Sequence, residues 1–178
     1  RPVKPTHTIG WSPRALVGTP YQRATLPWPC GFGMTLDEIR YFGTPEGQAL
    51  LREAARSQDN EIRLLERLRR AYPHDMCRAA VGLAQLRNRG KGKFSLAGDM
   101  VFDREGLEQA TGDVIARHRA RRYAGFGWIA DLCCGIGGDT TALSAVGEVV
   151  AVDLDPARVA MARWNTSVHA APHRVRGV

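Results

Sequence analysis

Two short segments near the end of the chain have the residue types and spacing of a nucleotide-binding site. Residues 131–139 have the sequence Asp-Leu-Cys-Cys-Gly-Ile-Gly-Gly-Asp, and residues 151–155 have the sequence Ala-Val-Asp-Leu-Asp. Glycines at Gly135 and Gly137 allow the backbone to approach a ligand where a Cβ would clash. Asp153, whose carboxylate can accept hydrogen bonds from both hydroxyls of a ribose, follows the first acid of the earlier segment by 22 positions. The pattern predicts half of a nucleotide-cofactor site.

Two strands and a helix must position these groups. Residues 128–133, Trp-Ile-Ala-Asp-Leu-Cys, are predicted to form an apolar strand that carries Asp131 to the carboxyl edge of a sheet. A helix that begins near Asp139 would direct free backbone N–H groups towards the ligand. A second strand, residues 148–152, leads into Asp153. The order of strand, turn, helix and strand is typical of a Rossmann-like α/β unit.

The glycines of the turn distinguish two kinds of cofactor. A dinucleotide fingerprint has the form G-x-G-x-x-G, and counting from Gly135 places Thr140 where the third glycine would be. The missing glycine, together with an acid inside the first strand, argues against NAD. Two alternatives stay open: an NAD-type dinucleotide-binding oxidoreductase, and a non-catalytic RNA-binding helical module.

In order and spacing, the residues resemble the first motif of class I S-adenosylmethionine-dependent methyltransferases, acid-x-x-x-G-x-G. The resemblance implies methyl transfer from S-adenosylmethionine, by in-line attack of a substrate nucleophile on the sulfonium methyl. It assigns Asp131 to the methionine amino group and Asp153 to the ribose. It also implies that Gly135 and Gly137 admit the methionine portion. The other positions expected at the cofactor are Cys133, Leu154 and Thr111. No catalytic residue or general base is assigned.

Further segments make the resemblance narrower. Lys93-Phe94, residues 106–111 (Gly-Leu-Glu-Gln-Ala-Thr) and the Asp-Leu-Asp-Pro after the second strand resemble a bacterial methyltransferase family that carries a THUMP-like domain after its catalytic domain. The resemblance covers about residues 44–178. It implies a structured RNA substrate, and it places Gln109 and Thr111 near the methionine carboxylate. No THUMP-like segment and no acidic or Asn-Pro-Pro substrate motif follows, so we expect a fragment that is inactive alone.

Three helices are predicted upstream of this unit. The first begins after Thr44, the second spans about residues 60–72, and the third spans about residues 75–88 and ends at Gly90. Their expected apolar faces are, in order, Leu50, Leu51, Ala54 and Ala55; Ile62, Leu65 and Leu68; and Met76, Ala79, Ala80, Leu83 and Leu86. These helices would form a small N-terminal lobe.

A fourth, longer helix is predicted over about residues 104–123, capped by Asp103. Its expected inward-facing residues are Leu107, Ala110, Val114 and Ile115, and its last turns carry Arg117, Arg119, Arg121 and Arg122. Cations at a helix C-terminus offset the macrodipole, and contact with an RNA backbone is a second hypothesis for them. The basic loop at residues 87–94 has two corresponding interpretations, a solvated surface loop or a phosphate contact.

The first 33 residues differ in composition from the rest. They contain six of the ten prolines and no Asp or Glu, so we expect a disordered or non-native extension, with Met34 as the natural start. The whole chain has 25 basic and 18 acidic residues, a net charge of +7. Without the extension, the chain has 21 basic and 18 acidic residues, a net charge of +3. This net charge is ordinary and does not by itself indicate nucleic-acid binding.

The remaining composition favours an enzyme of the cytoplasm. No apolar run is long enough to span a bilayer, and the four cysteines include no C-x-x-C pair and suggest free thiols in a reducing compartment. The histidines form no metal-ligand set, so no metal is expected. The predicted organisation is an extension at 1–33, a helical lobe at 34–125, and at 126–178 the first half of a Rossmann-like class I methyltransferase domain, an α/β fold.

Overall fold

Eight α-helices and a three-stranded sheet make up the part of the chain that the structure, a computed structural model, describes: residues 33–169 and 175–177. The helices are α1 (Leu36–Phe42), α2 (Pro45–Arg56), α3 (Glu61–Leu68), α4 (His74–Gly90), α5 (Arg104–Gln109), α6 (Asp113–Ala120), α7 (Gly138–Leu143) and α8 (Pro156–Val168). The strands are β1 (Trp128–Leu132), β2 (Glu148–Val152) and β3 (Val175–Gly177). Apart from Gly33, the predicted N-terminal extension lies outside the described residues.

Side-chain caps set where most helices begin. Thr44, Asn60 and Asp103 accept hydrogen bonds from backbone N–H groups in the first turns of α2, α3 and α5, which confirms the predicted starts. The short helix α1 was not predicted. It begins with a reciprocal capping box between Thr35 and Glu38, and this sequence signal could have identified it.

The predicted inward face of α3 is partly wrong. Ile62 is 70% exposed, whereas Leu64 and Leu68 are buried. The helix ends at Leu68, shorter than the predicted span, and the i, i+4 pair of leucines faces the core. In α2, Leu50, Leu51 and Ala54 are buried as predicted and Ala55 is exposed.

The predicted long helix at 104–123 is also wrong, because it is broken at residues 110–112. Ala110 and Gly112 have extended backbone conformations, so α6 begins in a new direction. Val114 and Ile115 are consequently exposed, and the small residues Ala116 and Ala120 face inward instead. Small side chains on this face let α6 pack closely against α7. Residues 121–123 form a short 3-10 turn.

The helical lobe and the sheet share part of one core. A large cluster built around Phe42, Leu50 and Phe102 also contains Ile136 from the glycine turn and Met161 from α8. A second cluster lies on the sheet and consists mainly of Ile129, Val149, Ala151, Val175, Ala116, Ala120, Leu143 and Ala162. Residues 31–178 form one compact unit, while the proposed boundary at 125/126 stays a prediction.

The sheet is parallel, with the strand order β1-β2-β3. β1 connects to β2 through α7, and β2 connects to β3 through α8. Asp131 lies opposite Ala151 in the register, so the ends of β1 and β2 meet at one edge. The predicted bounds of β2 and α8 are confirmed, and β3 begins at Val175 as predicted. The described part of the fold is therefore α/β, with helices around a small parallel sheet.

Candidate functional site

The chain turns sharply between β1 and α7, and three residues there have left-handed backbone conformations. They are Cys133 at φ 60°, Gly135 at φ 53° and Gly137 at φ 85°. A Cβ on Gly135 would meet no atom within 4 Å, so space remains there for a ligand. A Cβ on Gly137 would lie 2.7 Å from the Cα of Ala162 in α8. Gly135 therefore has the open approach that was predicted for both glycines, whereas Gly137 is required for close packing against α8.

A direct hydrogen bond joins the two predicted segments. The backbone N–H of Gly135 donates to Oδ2 of Asp153 at 2.9 Å, and the backbone N–H of Asp155 donates to its Oδ1 at 3.1 Å. Asp153 is half-buried. A carboxylate has about four acceptor positions, so Asp153 can still accept hydrogen bonds from hydroxyl groups of a ligand. The structure thus brings the glycine turn and the predicted ribose-binding acid into one site.

Asp131 connects β1 to the first turn of α7. Its Oδ2 accepts a hydrogen bond from the Thr140 hydroxyl at 2.5 Å, and the Thr140 backbone also bonds to the carboxylate. Burial raises the pKa of the Asp131 carboxyl, and the negative charge of Asp139 adds to this, while the bonds from Thr140 oppose it. The acid is half-buried and holds the helix in place, and its acceptor positions beyond these two bonds can serve a cationic ligand group.

A polar network joins the segment before α6 to α7. The Thr111 hydroxyl donates to Oδ2 of Asp139 at 2.8 Å, and the Arg119 guanidinium donates to the same oxygen at 2.5 Å. The other oxygen of Asp139 is buried and has no hydrogen-bond partner among the described residues. Thr111, predicted near the cofactor, therefore lies beside the start of α7. Its hydroxyl is bonded to Asp139. Its contact with a ligand stays a prediction.

The two cysteines of the turn follow the end of β1 at Leu132, one residue before the predicted end of that strand, and they differ in exposure. Cys133 is exposed and Cys134 is buried. Burial, together with the negative charges of Asp153 and Asp131, raises the pKa of the Cys134 thiol to about 12. Cys134 is therefore a protonated packing residue at neutral pH. Leu154, next to the predicted ribose-binding acid Asp153, is 100% exposed.

Asn165 of α8 supports the glycine turn from the core, a role that was not predicted from the sequence. This fully buried amide donates to the carbonyl of Ile136 at 2.9 Å. It also bonds to both backbone groups of Val101 in the helical lobe. The sequence has one local signal for this role: Asn165 is polar and lies on α8 between Met161 and Thr166, which are buried.

Lys93 and Phe94 have structural roles in the described chain. The Lys93 ammonium donates to the carbonyls of Leu107 and Glu108 at 2.8 and 2.9 Å, and so closes the C-terminal end of α5. Phe94 is buried in the core against Phe102. Neither side chain therefore lies free on the surface to meet a ligand.

Of the four arginines predicted as a possible RNA contact, two pair with carboxylates of the described chain and two do not. Arg119 pairs with Asp139, and Arg117 lies 3.7 Å from Asp113. Arg121 and Arg122 are exposed and form no ion pair with any carboxylate that the structure describes. The two free arginines follow α6 on the way to β1. Gln109 is exposed and bonds to Glu105 on its own helix.

No group of three or more His, Cys, Asp or Glu side chains within residues 33–169 and 175–177 is arranged to hold a metal ion. His169 and His173 are four positions apart in the sequence, and His173 lies outside those residues. Among the helices described, none is long and apolar enough to cross a bilayer.

Comparisons with known proteins match parts of the chain. Residues 35–90 match a domain of unknown function, DUF8688. A stretch of 66 residues is 47% identical to the uncharacterized S-adenosylmethionine-dependent methyltransferase MT3122 of Mycobacterium tuberculosis (strain CDC 1551 / Oshkosh). The protein of the same description called Rv3037c, from Mycobacterium tuberculosis (strain ATCC 25618 / H37Rv), matches with the same identity over the same length.

A crystal structure of a protein from Porphyromonas gingivalis W83, described as a methyltransferase, has a similar fold. The TM-score is 0.58 at 20% sequence identity, and the match covers 80% of this chain and 34% of that one. The match to each mycobacterial relative covers 36% of this chain and 18% of the relative. The chain thus corresponds to about a third of the structural neighbour and about a fifth of those relatives.

Proposed function

We propose that this chain carries the S-adenosylmethionine-binding part of a class I methyltransferase. The observation that carries the proposal is the hydrogen bond from the Gly135 backbone to Asp153. It joins an open glycine turn to a half-buried acid with acceptor capacity left, at the edge of a parallel sheet. The descriptions of the mycobacterial relatives, which match at 47% identity, agree with this activity.

The residues present fit the cofactor at three points. The space above Gly135 admits the methionine portion, Asp131 accepts from its amino group, and Asp153 accepts from the ribose hydroxyls. Cys133 and Leu154 are exposed next to these residues in the sequence, and Thr111 contacts Asp139 at the start of α7. When bound, S-adenosylmethionine supplies an electrophilic methyl group on a sulfonium. The role of these side chains is to position it, and charge and geometry rather than covalent catalysis would provide the rate enhancement.

The dinucleotide alternative is less well supported. Thr140 occupies the position of the third glycine, and it is fully buried with its hydroxyl bonded to Asp131. In a dinucleotide fold the third glycine lets the helix pack closely on the strand, and here the Thr140 side chain fills that contact.

The acceptor that we propose is a structured RNA, methylated in the cytoplasm by the whole protein. Support comes from the resemblance to methyltransferases with a THUMP-like domain, and from Arg121 and Arg122, whose guanidinium groups are free of ion pairs in the described chain. The residues that position the acceptor, and the THUMP-like segment, would belong to sequence beyond these 178 residues.

The test is calorimetric titration of the full chain with S-adenosylhomocysteine, repeated on Asp153→Asn. The variant should bind at least about tenfold more weakly, because an amide accepts fewer and weaker hydrogen bonds than a carboxylate. Asp75→Asn, on the exposed start of α4, is the matched control and should bind as the wild type does. Equal affinities for wild type and Asp153→Asn, or NADH binding that S-adenosylhomocysteine does not displace, would contradict the proposed function.

A further inference from the structure

A cavity lies beside Trp164, Ser167 and Val168, in the last turns of α8. Its volume is about 450 Å³, and it opens where α2, α4 and α8 meet. Its principal lining side chains are Arg52, Arg56, Arg87, Asp99, Trp164 and Ser167. None of the residues that the cofactor site uses lines it. This size falls within the ~300–1,000 Å³ typical of small-molecule sites.

The cavity carries an excess of positive charge. It has three arginines and one carboxylate, that of Asp99. Among the described residues, none of these four groups forms an ion pair. Three guanidinium groups that line one concave space without ion-pair partners among the described residues give it a positive potential.

Arg87 is the least exposed of the four charged groups that line the cavity. It is half-buried, and its Nε donates to the carbonyl of Met100 at 2.8 Å, while its two terminal nitrogens have no partner among the described residues. Burial lowers the pKa of this guanidinium, and the carboxylate of Asp99 only partly opposes the shift. The terminal nitrogens of this half-buried guanidinium are not among the described chain's buried atoms without a partner, so an anionic ligand can reach them.

The walls of the cavity are held in place by internal bonds. The Trp164 indole N–H donates to the carbonyl of Asp99 at 2.9 Å, which fixes the ring at the cavity edge. The Nε bond of Arg87 likewise fixes the direction of its fork. A planar guanidinium with two free nitrogens matches two oxygens of a phosphate group in a bidentate arrangement.

We propose that this cavity binds a phosphate group, held at its base by Arg87 and at its mouth by Arg52 and Arg56. The group belongs either to a small phosphorylated molecule or to the backbone of a nucleic acid, since both present the same oxygens. The volume leaves room for more than the phosphate, and the Trp164 ring is placed beside that room. The inference does not depend on the proposed methyltransferase function, because the two sites share no residue.

The test uses the full chain and two probes at low ionic strength. Pyrophosphate is titrated by calorimetry, and a fluorescein-labelled oligouridylate of about ten nucleotides is titrated by anisotropy. The variant is Arg52→Gln/Arg56→Gln, whose side chains are exposed and whose removal should leave the fold intact. The control is Arg63→Gln/Arg70→Gln, which removes the same charge from exposed positions outside the cavity.

We expect the wild type and the control to bind at least one probe equally, within about twofold, and the cavity variant to bind it at least about tenfold more weakly. Loss confined to pyrophosphate identifies a small phosphorylated ligand. Loss of oligouridylate binding, with competition by pyrophosphate, identifies a nucleic-acid backbone. Equal affinities of variant and control for both probes, or no binding of either probe to the wild type, would overturn the proposal. Arg87→Lys, which keeps the charge and loses the fork, should also weaken binding.

Discussion

Asn165 and Val101 form a reciprocal pair between α8 and the helical lobe. Oδ1 of Asn165 accepts from the Val101 backbone N–H at 2.7 Å, and its Nδ2 donates to the Val101 carbonyl at 3.0 Å. The same amide donates to the carbonyl of Ile136 in the glycine turn. One buried side chain therefore satisfies three backbone groups from segments far apart in sequence, and connects the lobe to the candidate cofactor site.

Replacing Asn165 with leucine should destabilise the protein strongly. The substitution leaves the two backbone groups of Val101 and the carbonyl of Ile136 without partners in a buried environment. We expect a loss of about 2–4 kcal/mol in the free energy of unfolding, measured by urea denaturation. Asn88→Ala, on the exposed face of α4, should change it by less than about 0.5 kcal/mol. Similar small values for both variants would show that the three bonds contribute little.

The ion pair of Arg158 with Asp103 should be more important than the surface pairs. Their nitrogen and oxygen lie 2.9 Å apart, with the side chains only 14% and 5% exposed. Asp103 also caps α5, so Arg158→Met would leave a buried carboxylate without its cation. We expect a loss of about 3 kcal/mol, against about 0–1 kcal/mol for Arg78→Met, whose pair with Asp75 is exposed. A double-mutant cycle with Asp103→Asn measures the coupling, and a coupling near zero would contradict the prediction.

The two glycines of the turn should respond differently to alanine. Gly137→Ala places a Cβ 2.7 Å from Ala162 at a positive φ, so it should reduce the free energy of unfolding by about 2 kcal/mol or more. Gly135→Ala adds a Cβ in open space, and should lose only about 1–2 kcal/mol from its left-handed backbone.

The Gly135→Ala variant also tests ligand binding separately from folding. Gly135→Ala should weaken S-adenosylhomocysteine binding by about tenfold or more, because its new methyl group enters the space proposed for the ligand. Titration calorimetry on the folded variant measures this. Unchanged affinity of Gly135→Ala would mean that the open space is not where the ligand approaches.

Asp131 should make stability decrease with rising pH in a defined window. Burial raises the pKa of its carboxyl above the ordinary value of 3.8, so the folded state holds the proton at pH values where the unfolded state has lost it. In that window, the free energy of unfolding falls as pH rises. Relative to Asp131→Asn, the wild type should therefore gain stability on acidification from about pH 7 to about pH 4, as followed by urea denaturation. The same slope in a comparison with Asp75→Asn would show that the effect does not come from Asp131.

Local signals predicted several element boundaries well. β2 and α8 have the predicted bounds because an apolar run before an acid, and an Asp-Pro helix start, are determined by near neighbours in sequence. The break between α5 and α6 was missed because the apolar spacing of residues 107–115 also fits one continuous helix. The chain between the two helices instead packs against α7, where a Cβ on Gly138 would lie 2.5 Å from the Thr111 carbonyl oxygen.

The amino-acid sequence by itself determined the kind of chemistry that this site can do. The acids, the glycines and their order are local properties, because a strand, a tight turn and a helix start depend on adjacent residues. Only the tertiary structure decided which groups are engaged with each other. Arg119 meets Asp139 across 20 positions and Asn165 meets Val101 across 64. Arg87, which has no ion pair among the described residues, lines the same cavity as Arg52 and Arg56. Such pairings depend on how the helices pack, because packing sets which side chains lose water and which must find partners.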